Sequence, residues 1–145
     1  VARKGLQDVR FTGRLTRNEA LAAMKKAAFL VVPSVWYEAF GLVVAEAFAC
    51  GTPVLGASVG AIREMLDDHM TGLQFAPDDS EGLAIKVAWA WQHSAQLEAM
   101  GRAGRRVYED RYSAEVNYKL LMNIYDSAVE AHGRRKESWR HRNAA

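Results

Sequence analysis

The sequence predicts an α/β fold in which a parallel sheet is flanked by helices and followed by a helical C-terminal third. Three observations support this prediction. Short apolar, β-favouring runs alternate with helical patterns, glycine or proline closes the first two of these runs, and the pattern from Ser80 onward is helical almost throughout. Strands that alternate with helices in this order are typical of parallel sheets, because parallel neighbours need a crossover connection.

Four segments are predicted as strands. The run VRFT alternates apolar and polar residues and closes at Gly13, whereas FLVV is continuously apolar and ends at Pro33, which cannot donate to a strand ladder. A continuous apolar run is typical of a strand that is buried on both faces. The predicted strands are residues 9–12, 29–32, 53–57 and 71–75.

The helix predictions rest on end signals. Thr16 and Glu19 have the spacing of a capping box, and Gly51 is the residue type favoured just past a helix end. Ser94 and Ser113 are expected to be N-caps. The predicted helices are residues 16–27, 41–51, 61–66, 80–92, 95–109 and 114–131.

Length and charge divide the chain into two parts. Residues 1–133 are predicted to form one domain, because half of the 145 residues are apolar and can build a core. Residues 134–145 carry five Lys/Arg and one Glu, whereas the remainder has 14 basic and 16 acidic side chains and no basic stripe for nucleic acid. We interpret the basic segment as a disordered, solvated tail. Peripheral contact with an anionic membrane surface is the alternative.

Apolar segments and cysteine content predict where the protein is located in the cell. No apolar run is long enough to span a bilayer, and the N-terminus has no signal-peptide pattern. The single cysteine fits a reducing compartment. We therefore expect a cytoplasmic protein, with the inner membrane surface as a possible contact.

The loop after the second predicted strand carries the candidate chemistry. In open α/β sheets, ligands bind where the carboxyl ends of strands lead into helix N-termini. Gly41 begins such a helix and has no Cβ, so that free backbone amides could receive a phosphate there. Glu38 and Glu46 flank this start, and a carboxylate can accept two hydroxyl hydrogens of a sugar. The alternative interpretation of Glu46 is a solvated helix residue, and that of Glu38 is a capping acid near the dipole of the following helix.

The segment 33–66 resembles the retaining glycosyltransferases of the large group 1 family (family 4), which share the two-domain fold called GT-B. The E-x7-E motif is met by Glu38 and Glu46, and the resemblance includes VRFTG at 9–13, PS at 33–34, EAFGL at 38–42, GTPV at 51–54 and GLQFAPDD at 72–79. The resemblance implies a Rossmann-like partial C-terminal domain.

Roles for individual residues follow from this resemblance. Glu38 would be the catalytic residue and bind hydroxyls of the donor sugar, and Glu46 would bind the ribose. The amides of Gly41, Leu42 and Val43 would hold the diphosphate. Phe40 would line the donor site, and Gly13, Arg14 and Leu15 would border the base. Trp36 and Tyr37 either wall the sugar site or pack in the core.

The resemblance implies the donor-binding part of a retaining hexosyltransferase that uses a nucleotide-diphosphate sugar and needs no cofactor or metal. The four histidines are scattered, and the adjacent acidic pairs are expected to be solvated caps. The acceptor site would lie on an N-terminal domain that this sequence lacks, together with two further strands, so these residues alone should not transfer sugar. A non-catalytic sugar-nucleotide-binding module and a related epimerase or phosphorylase are the alternatives.

Overall fold

A computed structural model describes the backbone of residues 8–142 and the side chains of residues 8–132. Its elements alternate helix and strand up to β3 and are helical afterwards, as the sequence predicts. The strands are β1 (Leu30–Val32), β2 (Val54–Ala57) and β3 (Gly72–Phe75). The helices are α1 (Arg17–Lys26), α2 (Leu42–Cys50), α3 (Gly60–Met65), α4 (Ser80–Gln92), α5 (Ser94–Val107) and α6 (Ala114–Arg142), with a π-helical turn at Tyr108–Tyr112.

The three strands form one parallel sheet in the order β1-β2-β3. Leu30 pairs with Val54, which in turn pairs with Gly72, so the carboxyl ends of all three strands lie at one edge. The predicted parallel sheet flanked by helices is therefore confirmed. It is this common edge that brings the loops after β1 and β2 together.

The predicted strand at residues 9–12 is wrong. These residues form no strand in the described structure, and the side chain of Phe11 is 83% exposed. A strand is stabilised by its ladder partners, and residues 9–12 pair with none of the three described strands. The alternating pattern therefore has no buried face to fill.

The core lies on both faces of the sheet. On one face, α2 and α3 pack through the fully buried Phe48 and Ile62, and on the other, Leu55 and Leu73 pack against α4 and α5. Burial of a side chain of this size contributes about 1.5–3 kcal/mol. Helix α2, which follows the candidate site, is thus held by the core along its length.

Helix α1 has the predicted capping box. The Thr16 hydroxyl accepts from the Glu19 amide, and the Glu19 carboxylate accepts from the Thr16 amide at 2.8 Å. Gly51 ends α2 in the left-handed conformation at φ 70°, which is also the predicted stop.

The C-terminal helices differ from the prediction at Ser94, at the π-helical turn and at the end of α6. The π-helical turn separates α5 from α6, and Ser113 caps α6 by accepting from the Val116 amide at 3.3 Å. Ser94 is the first residue of α5 rather than its cap. The backbone of α6 continues to Arg142, past the end predicted near residue 131, because the intervening Arg, Lys and Glu are good helix formers. The backbone of residues 134–142 is helical, whereas residues 143–145 and the side chains of this segment lie outside the described residues, so the disordered, solvated tail at 134–145 stays a prediction.

Candidate functional site

The candidate site lies where β1 leads into α2, beside the turn that leads from β2 into α3. The chain leaves β1 at Val32, crosses a loop at 33–41 and enters α2 at Leu42. The neighbouring strand β2 ends at Ala57, and α3 begins three residues later. Parallel pairing places both transitions at the carboxyl edge of the sheet, which is where open α/β folds bind ligands.

The start of α2 presents backbone donors. Gly41 adopts a left-handed conformation, with φ 60° and ψ 48°, and its carbonyl accepts from the Val44 amide at 2.9 Å. Within the described part of the chain, the amides of Gly41, Leu42 and Val43 make no hydrogen bond. Free amides at a helix start, together with the helix dipole, favour an anion.

The reason for a glycine at position 41 differs from the one expected. A Cβ built on Gly41 would lie 3.3 Å from the Met65 sulfur and 3.8 Å from Ile62, so it would face α3 and not the free amides. The positive φ is what calls for glycine here, since other residues rarely adopt it. Gly41 thus sets the direction in which α2 departs.

Glu38 is held through its carboxylate. The buried Ser34 donates its hydroxyl to Oε1 of Glu38 at 2.7 Å, and Glu38 itself is half-buried. Oε2 of Glu38 makes no hydrogen bond to the described residues. One carboxylate oxygen is therefore fixed, and the other remains an available acceptor.

Glu46 lies on the exposed side of α2 and pairs with a basic residue. The Arg17 Nε is 3.5 Å from Glu46 Oε1, and the two side chains are 79% and 24% exposed. An ion pair of this exposure contributes about 0–1 kcal/mol, so a ligand can displace it at little cost.

A cavity of about 430 Å³ opens beside Glu46. This volume is within the usual range for small-molecule sites. Phe40 and Tyr112 stand in its wall with their rings edge to face and their centroids 5.9 Å apart. The lining includes Arg17, Phe40, Leu42, Glu46, Tyr112 and Asn117.

The structure brings together only part of the predicted site. Phe40, Leu42 and Glu46 share the cavity, with Gly41 and Val43 beside them in the chain. Glu38 does not line this cavity and is held separately by Ser34.

The three residues predicted to border the base do not line the cavity either. Gly13, Arg14 and Leu15 are exposed and immediately precede the N-cap of α1. Their connection to the site runs through α1, whose first residue, Arg17, reaches Glu46. The ligand roles of all the predicted residues stay predictions.

Three contributors were missed by the sequence analysis: Ser34, Arg17 and Tyr112. Ser34 lies four residues before Glu38, close enough in the chain for a local hydrogen bond to be anticipated. Arg17 and Tyr112 reach the cavity only through packing of α1 and the π-helical turn against α2, which no local pattern reveals.

Trp36 and Tyr37 are not core residues. Their side chains are 65% and 85% exposed on the loop that carries Glu38. Of the two interpretations that the sequence left open, core packing of Trp36 and Tyr37 is therefore wrong. Their role in lining the sugar site stays a prediction.

The described residues provide neither a metal-binding cluster nor a helix that could span a membrane. The described residues contain no group of three His, Cys, Asp or Glu side chains placed to hold a metal ion. Asp79 caps α4 by accepting from the Gly82 amide at 2.8 Å, as expected of that acidic pair. None of the helices in this part of the chain combines the length and apolar character that a bilayer span requires.

Comparison with known proteins identifies the family. The profile described as "Glycosyl transferases group 1" matches residues 2–107, which include the whole described sheet and both Glu38 and Glu46. The chain belongs to the group 1 glycosyl transferases. Its similarity to glycogen synthase of Mycobacterium tuberculosis is 39% identity over 101 residues, or 70% of this chain and 24% of that protein.

Solved structures show that this group 1 glycosyl transferase has a known fold. Sucrose-phosphate synthase from Thermosynechococcus elongatus matches at a TM-score of 0.83 and 30% identity, over 90% of this chain and 33% of that one. Anabaena HepE in complex with UDP-glucose matches at 0.77 and 22% identity, over 86% and 34%. The chain thus spans about a quarter to a third of the length of these three proteins.

Proposed function

We propose that this chain binds a nucleotide-diphosphate sugar as the donor side of a retaining hexosyltransferase. The observation that carries the proposal is the free amides at the start of α2, flanked in sequence by Glu38 and Glu46. The match to a HepE structure that contains UDP-glucose supports this class of ligand.

The diphosphate would lie against the amides of Gly41, Leu42 and Val43. Charge develops on this group as the glycosidic bond breaks, and fixed dipoles stabilise such charge without reorganisation at the moment of reaction. This contribution comes from the backbone, so the proposal calls for no metal ion.

The two carboxylates would divide the rest of the donor. Glu46 opens on the cavity with Phe40 and Tyr112, which suits a ribose with its base. Glu38 keeps Oε2 free on the loop before α2 and would accept a hydroxyl of the hexose. Arg17 pairs with Oε1 of Glu46, so a ribose whose two hydroxyls take both carboxylate oxygens would displace it.

The test begins with ligand binding. Saturation-transfer NMR and calorimetry would compare UDP, GDP, ADP, their glucose conjugates and the corresponding nucleosides. We expect one nucleoside diphosphate to bind more tightly than its nucleoside, because the phosphates meet the amides of α2. Failure of all these compounds to bind would overturn the proposal.

A proline substitution tests the backbone contact directly. Leu42→Pro removes one free amide at the first position of α2 and should weaken binding of the diphosphate but not of the nucleoside. Proline also disfavours the left-handed conformation of the preceding Gly41, so an unchanged affinity for the nucleoside is needed to show that the rest of the site is intact. Ser80→Pro makes the same change at the first position of α4 and is the matched control. Melting curves of both variants would verify that they fold.

Sugar transfer would have to be tested in a protein that contains this chain and has the length of its relatives, called here the longer protein. An acceptor screen with NMR detection of the anomeric proton would report whether donor and product share one configuration, as retention requires. If the longer protein binds donor but transfers to no acceptor, a non-catalytic module becomes the better reading. The absence of transfer by this chain alone, its cytoplasmic location and a membrane contact of residues 134–145 stay predictions.

A further inference from the structure

We propose that Gly60 and Ala61, at the start of α3, are positioning residues that fix the backbone of Glu38. The proposal rests on the donor-binding role of Glu38 argued above. It adds a second element to the site, since α3 would determine where the sugar-binding carboxylate stands.

The contact between α3 and the Glu38 loop is direct. The Ala61 amide donates to the Glu38 carbonyl oxygen at 3.2 Å. This amide lies in the first turn of α3, where it has no partner within the helix. The loop therefore supplies the acceptor that the helix itself lacks.

Gly60 allows the two backbones to approach. Its φ is 51°, and a Cβ built on it would lie 3.1 Å from the Glu38 nitrogen and 3.2 Å from the Glu38 oxygen. The same Cβ would be 3.2 Å from the Cα of Tyr37. These neighbours are backbone atoms, so any side chain at position 60 must push the loop away.

The turn that carries Gly60 is itself anchored to the sheet. The Ser58 amide donates to the Phe75 carbonyl at the end of β3, at 2.8 Å. Val59 is buried before the turn and Ile62 is fully buried after it. The contact with this turn thus holds the backbone of Glu38 at a fixed position relative to the sheet.

Glu38 is therefore held at both ends. Ser34 fixes Oε1 of the side chain, and Ala61 fixes the carbonyl of the main chain. Displacing either end would move Oε2, the acceptor left for a sugar hydroxyl. Loss of the α3 contact should consequently affect recognition of the sugar more than recognition of the nucleotide.

Two alanine substitutions isolate this effect. Gly60→Ala places an alanine at φ 51° and against the Glu38 backbone, whereas Gly51→Ala places one at φ 70° with its nearest neighbour, the Gly101 oxygen, at 3.9 Å. Both variants carry the strain of the left-handed conformation. Only Gly60→Ala displaces Glu38, so Gly51→Ala is the matched control.

Calorimetry with UDP and UDP-glucose gives the functional readout. We expect Gly60→Ala to bind UDP within about twofold of wild type but to reduce the affinity advantage of UDP-glucose over UDP by about tenfold. Gly51→Ala should keep that advantage. If Gly60→Ala also keeps the affinity advantage of UDP-glucose over UDP, or weakens binding of both ligands equally, the positioning role is overturned.

A readout without ligand separates this inference from the proposed function. In amide hydrogen exchange, Ala61 should be protected in wild type and Gly51→Ala, and unprotected in Gly60→Ala. Ala61→Pro removes the same donor within the first turn, where proline is tolerated, and should shift the NMR signals of Glu38. An unprotected Ala61 in wild type would overturn the inference, whereas failure of the UDP-, GDP- and ADP-glucose conjugates to bind while Ala61 is protected would overturn only the sugar-binding role.

Discussion

The hydroxyl of Ser34 lies 2.7 Å from Oε1 of Glu38 and donates to it, four residues away along the chain. Ser34 is buried, with 8% of its surface exposed, and it directly follows the proline that ends β1's run. A carboxylate that is held by a buried donor keeps one orientation, which a site for a sugar hydroxyl requires.

Removal of the Ser34 hydroxyl should loosen the side chain of Glu38 without changing the affinity for the nucleotide. We expect Ser34→Ala to leave the affinity for the nucleoside diphosphate unchanged and to weaken binding of the sugar nucleotide several-fold, because Glu38 then keeps its charge but loses the donor that fixes its orientation. Calorimetry with both ligands measures the difference. Ser94→Ala, at an exposed serine in α5, should change neither; equal weakening of both ligands by Ser34→Ala would show that the serine merely stabilises the fold.

The two glutamates should differ in what they bind. Glu46→Ala should weaken binding of the free nucleoside diphosphate, because the ribose is present with or without the sugar. Glu38→Ala should nearly preserve that affinity and lower turnover with the sugar nucleotide in the longer protein. The expected changes are roughly tenfold to more than a hundredfold.

Calorimetry with nucleotide and initial rates with donor would distinguish the two roles. Glu98→Ala is the control for removal of an exposed carboxylate, since Glu98 pairs only with Arg102 on the surface of α5. Equal loss of nucleotide affinity in both variants would mean that the assigned division of roles is wrong.

The packing of α5 on α2 should not tolerate a methyl group at Gly101. A Cβ there would overlap with the carbonyl oxygen of Gly51, at the end of α2. We expect Gly101→Ala to lower the free energy of unfolding by about 1–3 kcal/mol, as overpacking does, despite the better helix propensity of alanine. Urea denaturation provides the measurement, and Gln96→Ala on the exposed face of α5 should stay within about 0.5 kcal/mol of wild type. A neutral or stabilising Gly101→Ala would contradict this close approach.

The capping box of α1 should make stability depend on pH. Hydrogen bonds from the Thr16 side chain and then from its backbone lower the pKa of Glu19 below its ordinary value of 4.5. A lowered pKa means that the stabilisation is fully present above the ordinary value and is lost as the pH falls through the lowered one. Urea denaturation of wild type and Glu19→Gln from neutral pH down to about pH 3 should show a stability difference that shrinks in acid. A difference that is constant with pH would exclude the carboxylate as its source.

Much of the fold could be predicted because its signals are local. The Thr16 and Glu19 pair, the stop at Gly51 and the apolar runs of β1 and β2 each depend on neighbours in the chain, and the structure confirms them. Residues 9–12 were mispredicted because an alternating pattern specifies a strand only when a partner completes the ladder.

The site was less predictable than the fold. The resemblance identified both glutamates, but the contacts of Arg17 with Glu46 and of Tyr112 with Phe40 arise from packing between elements far apart in the chain. Likewise, the reason for a glycine at position 60 becomes visible only when α3 meets the Glu38 loop.

The open side of β1 affects how this chain should behave when it is produced alone. In the described sheet, Leu30–Val32 pairs with β2 on one side only, so the other side carries a row of unpaired peptide groups beside apolar side chains. Such an edge is a template for strand addition by another molecule. Solubility at the concentrations used for NMR will therefore depend on covering that edge. Because the side chain of Val31 packs against the core between the sheet and helices α4 and α5, a charge cannot be placed at the middle of this strand without disturbing the core.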